Sequence, residues 1–122
     1  MSRKRENVRQ CKAIRQLIDD NKYTKALELI DAIPLEEVGS LDDLYRYAEL
    51  YEKAERMDKK KEIFYHIYHR THSRYMLNRL LRLTIRMGDM EEARELYFAY
   101  EVAGPITLDT FELRYLLAKA EG

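Results

Sequence analysis

LNRLLRLTIRMGDMEEARELYFAYEVAGP, residues 77–105, decides how this chain folds. Leu77, Leu80, Leu81 and Thr84 recur at helical spacing and therefore share one face. Gly88 follows the last periodic residue, where a residue without Cβ turns left-handed most easily. Asp89 then stands at the N-cap of a second helix, with Glu92 three residues on in an acidic variant of the capping box. Ala93, Leu96, Tyr97 and Tyr100 form the apolar stripe of that helix, and Gly104-Pro105 stops it.

The same template fits twice more upstream. Met90, just after the break, has counterparts at Met57 and Tyr23, separated by 90 − 57 = 33 and 57 − 23 = 34 residues. In the second unit the places of Leu77, Leu80, Leu81, Thr84, Ala93, Tyr97 and Pro105 are taken by Leu44, Tyr47, Ala48, Tyr51, Lys60, Phe64 and His72. In the first they fall to Gln10, Ala13, Ile14, Leu17, Ala26, Ile30 and an early Pro34. Helix-turn-helix units of this period and pattern resemble the tetratricopeptide repeat family, over about residues 8–105. Lys60 replaces a small residue, His72 replaces the closing Pro, and the first helix of unit one is weak, so the resemblance departs there.

The resemblance implies an all-α fold, a right-handed solenoid of three helical hairpins (about 5–34, 40–72 and 73–105) plus a closing helix at 107–120, in a single domain over 1–122. From the residues themselves, helix one spans about Arg5 to Asp20, with Val8, Cys11, Ile14, Leu17 and Ile18 inside. Tyr23 to Ile33 follows, ended by Pro34. Ser40 caps Leu41 to Ala54, Asp58 to Arg70 comes next, and Ser73 caps helix five. Thr107, or Asp109 with Glu112, caps a seventh helix over Leu108 to Ala120. Phe111 and Tyr115 fall where another unit's first helix would begin. Leu113, Leu116 and Leu117 form a second apolar stripe with two readings: packing on helix six, or an exposed patch that pairs two chains or meets further repeats.

Composition narrows the class. The 122 residues are 36% charged with only 4 Gly and 2 Pro, which suits helices and argues against a strand-rich fold. No stretch approaches the length of a membrane span. MSRKRENVRQ is basic but no apolar signal core follows it, and the lone Cys11 cannot form an internal disulfide, so a cytoplasmic setting is expected. Charge is zero overall but alternates: +5 over 1–15, −7 over 16–55, +7 over 56–86 and −5 over 87–122.

In this family the groove is lined by the first helix of each hairpin and takes extended or helical peptides. By the resemblance, Lys12 and Arg15 come from helix one, and Tyr45, Arg46, Glu49 and Glu52 from helix three. Tyr75, Asn78, Arg79, Arg82 and Arg86 come from helix five. Arg79, Arg82 and Arg86 make one basic ridge suited to carboxylates. Some members clamp a C-terminal carboxylate with Lys, Asn and Arg. Asn78 and Arg79 match part of that set, but Cys11 and Arg15 stand where its earlier Lys and Asn belong, so that specificity is not carried over. The plainer reading makes the ridge a solvated face that pairs with the acidic stretch 42–55.

Tyr47, Tyr51, Phe64, Tyr97 and Tyr100 fall on packing positions. Glu62, His66 and His69 share a helix face, but the spacing matches no metal motif and all lie on one helix, so no metal is expected. Cys11 has no base nearby, the glycines form no phosphate loop, and no acid-base pair emerges; neither an enzyme nor a cofactor is indicated. The leading expectation is a protein-interaction scaffold for an acidic peptide or partner helix. The alternative is nucleic-acid binding through Arg3, Lys4, Arg5, Arg9, Lys12, Arg15 and the 56–86 block, against which the acidic interruptions count.

Overall fold

The computed structural model describes Ser2–Gly122, with side chains from Glu6 onward. Among the described residues there are seven α-helices and no strand: α1 (Ser2–Asp19), α2 (Tyr23–Ala32), α3 (Leu41–Lys53), α4 (Met57–Thr71), α5 (Arg74–Met87), α6 (Met90–Val102) and α7 (Leu108–Glu121). None is long and apolar enough to cross a membrane. We call α1, α3 and α5 first helices, and α2, α4 and α6 second helices.

The period read from sequence is written into the backbone. Second helices start at Tyr23, Met57 and Met90, the three residues used to find the repeat. Each preceding helix ends on a left-handed residue: Asn21 at φ 59°, Glu55 at φ 60° and Gly88 at φ 81°. Each turn is closed by the same six-to-one hydrogen bond, from the Lys22, Arg56 and Asp89 amides to the carbonyls of Leu17, Tyr51 and Thr84, at 2.8, 2.8 and 3.2 Å. Only one of the three turns uses glycine. The geometry is therefore set by the helices that follow the turn and not by the turn residue's own preference.

Starts are equally regular. The Ser40 and Ser73 hydroxyls accept from the Asp43 and Met76 amides, and Asp89 accepts from Glu92. Thr107 stands at the N-cap of α7, where its amide donates to the Thr110 hydroxyl at 3.0 Å. Two details differ from expectation: helix α1 begins earlier, at Ser2, and Val8 points outward at 53% exposure. Helix α6 ends at Val102, just before Gly104-Pro105. Gly104 also leaves room for a side chain, because a Cβ there would meet the Arg74 guanidinium at 2.7 Å.

The chain forms two compact units, divided within α4 after His66. In the first, α1 packs on α2 and α2 on α3. Its core holds Ile14, Ala26, Ile30, Val38, Leu44, Tyr47, Ala48, Tyr51, Ile63 and Phe64. Lys60, the residue at odds with the repeat, is buried with its ammonium 2.8 Å from Glu52 and 5.3 Å from the Phe64 ring centroid. It lays its stem along apolar surface and keeps its charge partnered.

In the second unit α5 packs on both α6 and α7, and α6 on α7. Leu77, Leu80, Leu81, Thr84, Ala93, Leu96 and Tyr100 are buried, as their spacing demanded. Full burial of each leucine contributes about 1.5–3 kcal/mol, against about 0–1 for an exposed ion pair. The apolar stripe, and not the charge pattern, holds the unit together.

Candidate partner-binding faces

Each first helix turns one stripe into its hairpin and leaves another toward solvent. On α5 the solvent stripe begins at Tyr75, which is exposed. Arg79 donates to the Tyr75 hydroxyl at 2.8 Å and sits 5.7 Å from its ring centroid. Arg82 donates to Asn78 Oδ1 at 2.6 Å and to Glu112 Oε1 on α7 at 3.0 Å. Arg86 is exposed one turn on. The ridge residues lie along α5, and Arg82 is spanned by two acceptors, Asn78 and Glu112.

On α3, Arg46 and Glu49 are exposed and Tyr45 is half-buried, whereas Glu52 is engaged by Lys60. On α1, Lys12 is exposed. Arg15 is not a free groove cation: its guanidinium meets the buried Asp43 carboxylate through two bonds of 3.0 and 3.1 Å. The hydrogen bond to Asp43 and the attraction of its charge raise the Arg15 pKa further. Arg15 and Glu52 thus each have an internal ion-pair partner, Asp43 and Lys60.

One relation escaped the sequence reading. Lys12, Arg46 and Arg79 each stand nine residues before a left-handed stop: 21 − 12, 55 − 46 and 88 − 79 all equal 9. Every first helix therefore carries a cation at one equivalent position. The signal was available, since the offsets of 34 and 33 that located the apolar pattern also connect these three charges.

The remaining aromatic and polar candidates fall into place unit by unit. Tyr47, Tyr51, Phe64 and Tyr100 are buried, and Tyr97 is half-buried with its hydroxyl accepting from Arg114 at 2.9 Å. Burial, then the adjacent Cys11 thiol, pushes the Tyr47 phenol far up. Burial and Asp31 do the same to Tyr51. His69 and His72 pack on Tyr68, with ring centroids 5.8 and 6.1 Å away. Among the described residues no group of three His, Cys, Asp or Glu could hold a metal ion.

Leu113 and Leu117 are buried in the second unit and Leu116 is half-buried. The packing reading describes them; a second chain could not reach Leu113 and Leu117 without opening α7. The apolar side chains that α7 does expose are Leu108, Phe111 and Tyr115.

The basic block 56–86 is largely consumed internally. Arg56 pairs with Asp31, Lys59 with Glu62, Lys60 with Glu52 and Arg82 with Glu112. Arg74 donates to the Tyr100 carbonyl at 3.1 Å. The side chains of Arg3, Lys4 and Arg5 lie outside the described residues. Compared with protein-family models, curated proteins and solved structures, the chain matches none.

Proposed function

We propose that this chain is a protein-interaction module of the tetratricopeptide kind, a right-handed solenoid of three helical hairpins and a closing helix. It holds an extended or helical peptide bearing acidic groups against the outer stripes of its first helices. The observation that carries this reading is the cation repeated at Lys12, Arg46 and Arg79, one per first helix at one hairpin position. Tyr75 beside Arg79 adds an aromatic surface of the type enriched at interfaces. Arginine offers a planar fork to carboxylates, so acidic side chains or a terminal carboxylate match the stripe. On this reading the setting is the cytoplasm, where a lone thiol stays reduced.

The alternative, nucleic-acid binding, is less well supported because four of the nine cations of 56–86 already face carboxylates. Phosphate binding needs cations free to release counterions.

The test is an array of acidic peptides probed with the wild type and with Lys12→Glu/Arg46→Glu/Arg79→Glu. A retained, salt-sensitive subset whose affinity falls at least about ten-fold in the variant supports the proposal. Identical binding by the two proteins removes it.

A further inference from the structure

A second position recurs three residues after the repeated cation, held by Arg15, Glu49 and Arg82: 21 − 15, 55 − 49 and 88 − 82 all equal 6. Its charge is reversed in the middle helix. The two arginines are committed inside their own units, Arg15 to Asp43 and Arg82 to Glu112. Glu49 is exposed, and among the described residues its carboxylate has no hydrogen-bond or ion-pair partner.

Arg46 precedes Glu49 by three residues, at the spacing where side chains meet across a helix surface. On α4 the same cation-then-acid spacing closes into an ion pair, Lys59 with Glu62 at 3.5 Å. On α3 it stays open: Arg46 is exposed and, like Lys12 on α1, has no ion-pair partner among the described residues. The first unit therefore offers two cations and one anion, all uncommitted, on its first helices.

We infer that Glu49 sets the specificity of this surface: it takes a lysine or arginine of the bound peptide while Arg46 and Lys12 take its acids, so the ligand is a mixed-charge segment. The inference rests on the peptide-binding reading of the first helices. Residues three apart on a helix lie about 5–6 Å from one another at Cβ. A matching acid and base stand two residues apart in an extended peptide, which advances about 3.3 Å per residue, or three to four apart in a helical one. A uniformly acidic chain meets Glu49 as a like charge, and closing over it leaves a carboxylate desolvated without a partner. Such a repulsive element selects by excluding wrong ligands. It also separates peptides from nucleic acid, whose phosphates are all of one sign.

The test is anisotropy of labelled peptides that hold one glutamate fixed and carry lysine or glutamate two residues away, with a helical set spaced by three and four, titrated with the full chain. At low salt the wild type should prefer lysine to glutamate by about three- to ten-fold at one of these spacings. Glu49→Lys, an exposed change that leaves the circular dichroism unaltered, should reverse that order. Equal binding of lysine and glutamate peptides by the wild type overturns the inference. If Lys12→Glu/Arg46→Glu/Arg79→Glu still weakens both peptides, only the selectivity has failed and the acidic-peptide reading stands. An order unchanged by Glu49→Lys also overturns it, because the preference then arises elsewhere. Absence of binding by every peptide removes both.

Discussion

Arg15 on α1 and Asp43 on α3 form a two-bond ion pair in which the carboxylate side chain is 4% exposed and the guanidinium side chain 42%. The pair joins two first helices of the same unit, 28 residues apart in sequence. Arg82 repeats the arrangement toward Glu112 on α7. In both units an arginine of one first-type helix reaches forward to an acid on the next.

Asp43 also lies in the first turn of α3, where its amide donates to the Ser40 hydroxyl. Asp43→Ala is expected to cost about 2–3 kcal/mol, the range for a hydrogen-bonded charge removed from a buried site. Urea unfolding checks it. A loss below about 0.5 kcal/mol would mean that the pair is no more than a surface contact.

The left-handed turns make a prediction of opposite signs. Nothing lies within 4 Å of a Cβ built on Gly88, so Gly88→Ala pays only for the backbone at φ 81°, about 1 kcal/mol. Glu55 already bears that strain at φ 60°. Glu55→Gly should therefore stabilise by about 0.5–1 kcal/mol, the relief exceeding glycine's entropic penalty. Thermal melts of the two single variants should move in opposite directions.

These turns also show how much of the fold the sequence disclosed. The period, the second-helix starts and the caps at Ser40, Ser73 and Asp89 were legible because each rests on a local rule: apolar spacing, a hydroxyl or carboxylate at a helix start. Val8 was misplaced because helical phase alone does not say which flank of a stripe another helix will cover. In α7 two apolar stripes compete, and only packing against α5 and α6 chose Leu113 and Leu117 over Phe111 and Tyr115. The ion pairs of Arg15 and Glu52 were not legible because their partners, Asp43 and Lys60, are distant in sequence or out of pattern.

Acid should act in part through Asp31. Its carboxylate accepts from the Tyr51 hydroxyl and, at 3.0 Å, from Arg56. The Tyr51 hydrogen bond is the main cause holding its pKa below the ordinary 3.8, with Arg56 adding to it. With the folded value depressed, the unfolded chain takes up the proton first. Asp31's contribution is thus complete above 3.8 and disappears as pH falls through the folded value. Unfolding free energy measured from about pH 5 to 2 should fall less steeply in Tyr51→Phe than in the wild type. Equal slopes would disprove the linkage.

Lys60 is where the repeat and the packing disagree. Lys60→Met keeps the volume against Phe64 and frees Glu52, 41% exposed as a side chain, to solvent. Stability should stay within about 1 kcal/mol of the wild type. Lys60→Ala, which restores the small residue found at Ala26 and Ala93, should be the worse of the two by about 1–2 kcal/mol, because α3 and α4 are already spaced for a long side chain. Chemical denaturation ranks the pair, and alanine proving the more stable would show that the helices close freely.

Cys11 is 6% exposed beside Tyr47 and is the chain's only thiol. A thiol-reactive dye must therefore wait until α1 swings clear of α3 before it can couple. The protein carries its own stopwatch for that opening: trapping rates under native conditions give the free energy of local unfastening at the amino-terminal end, with no introduced label site.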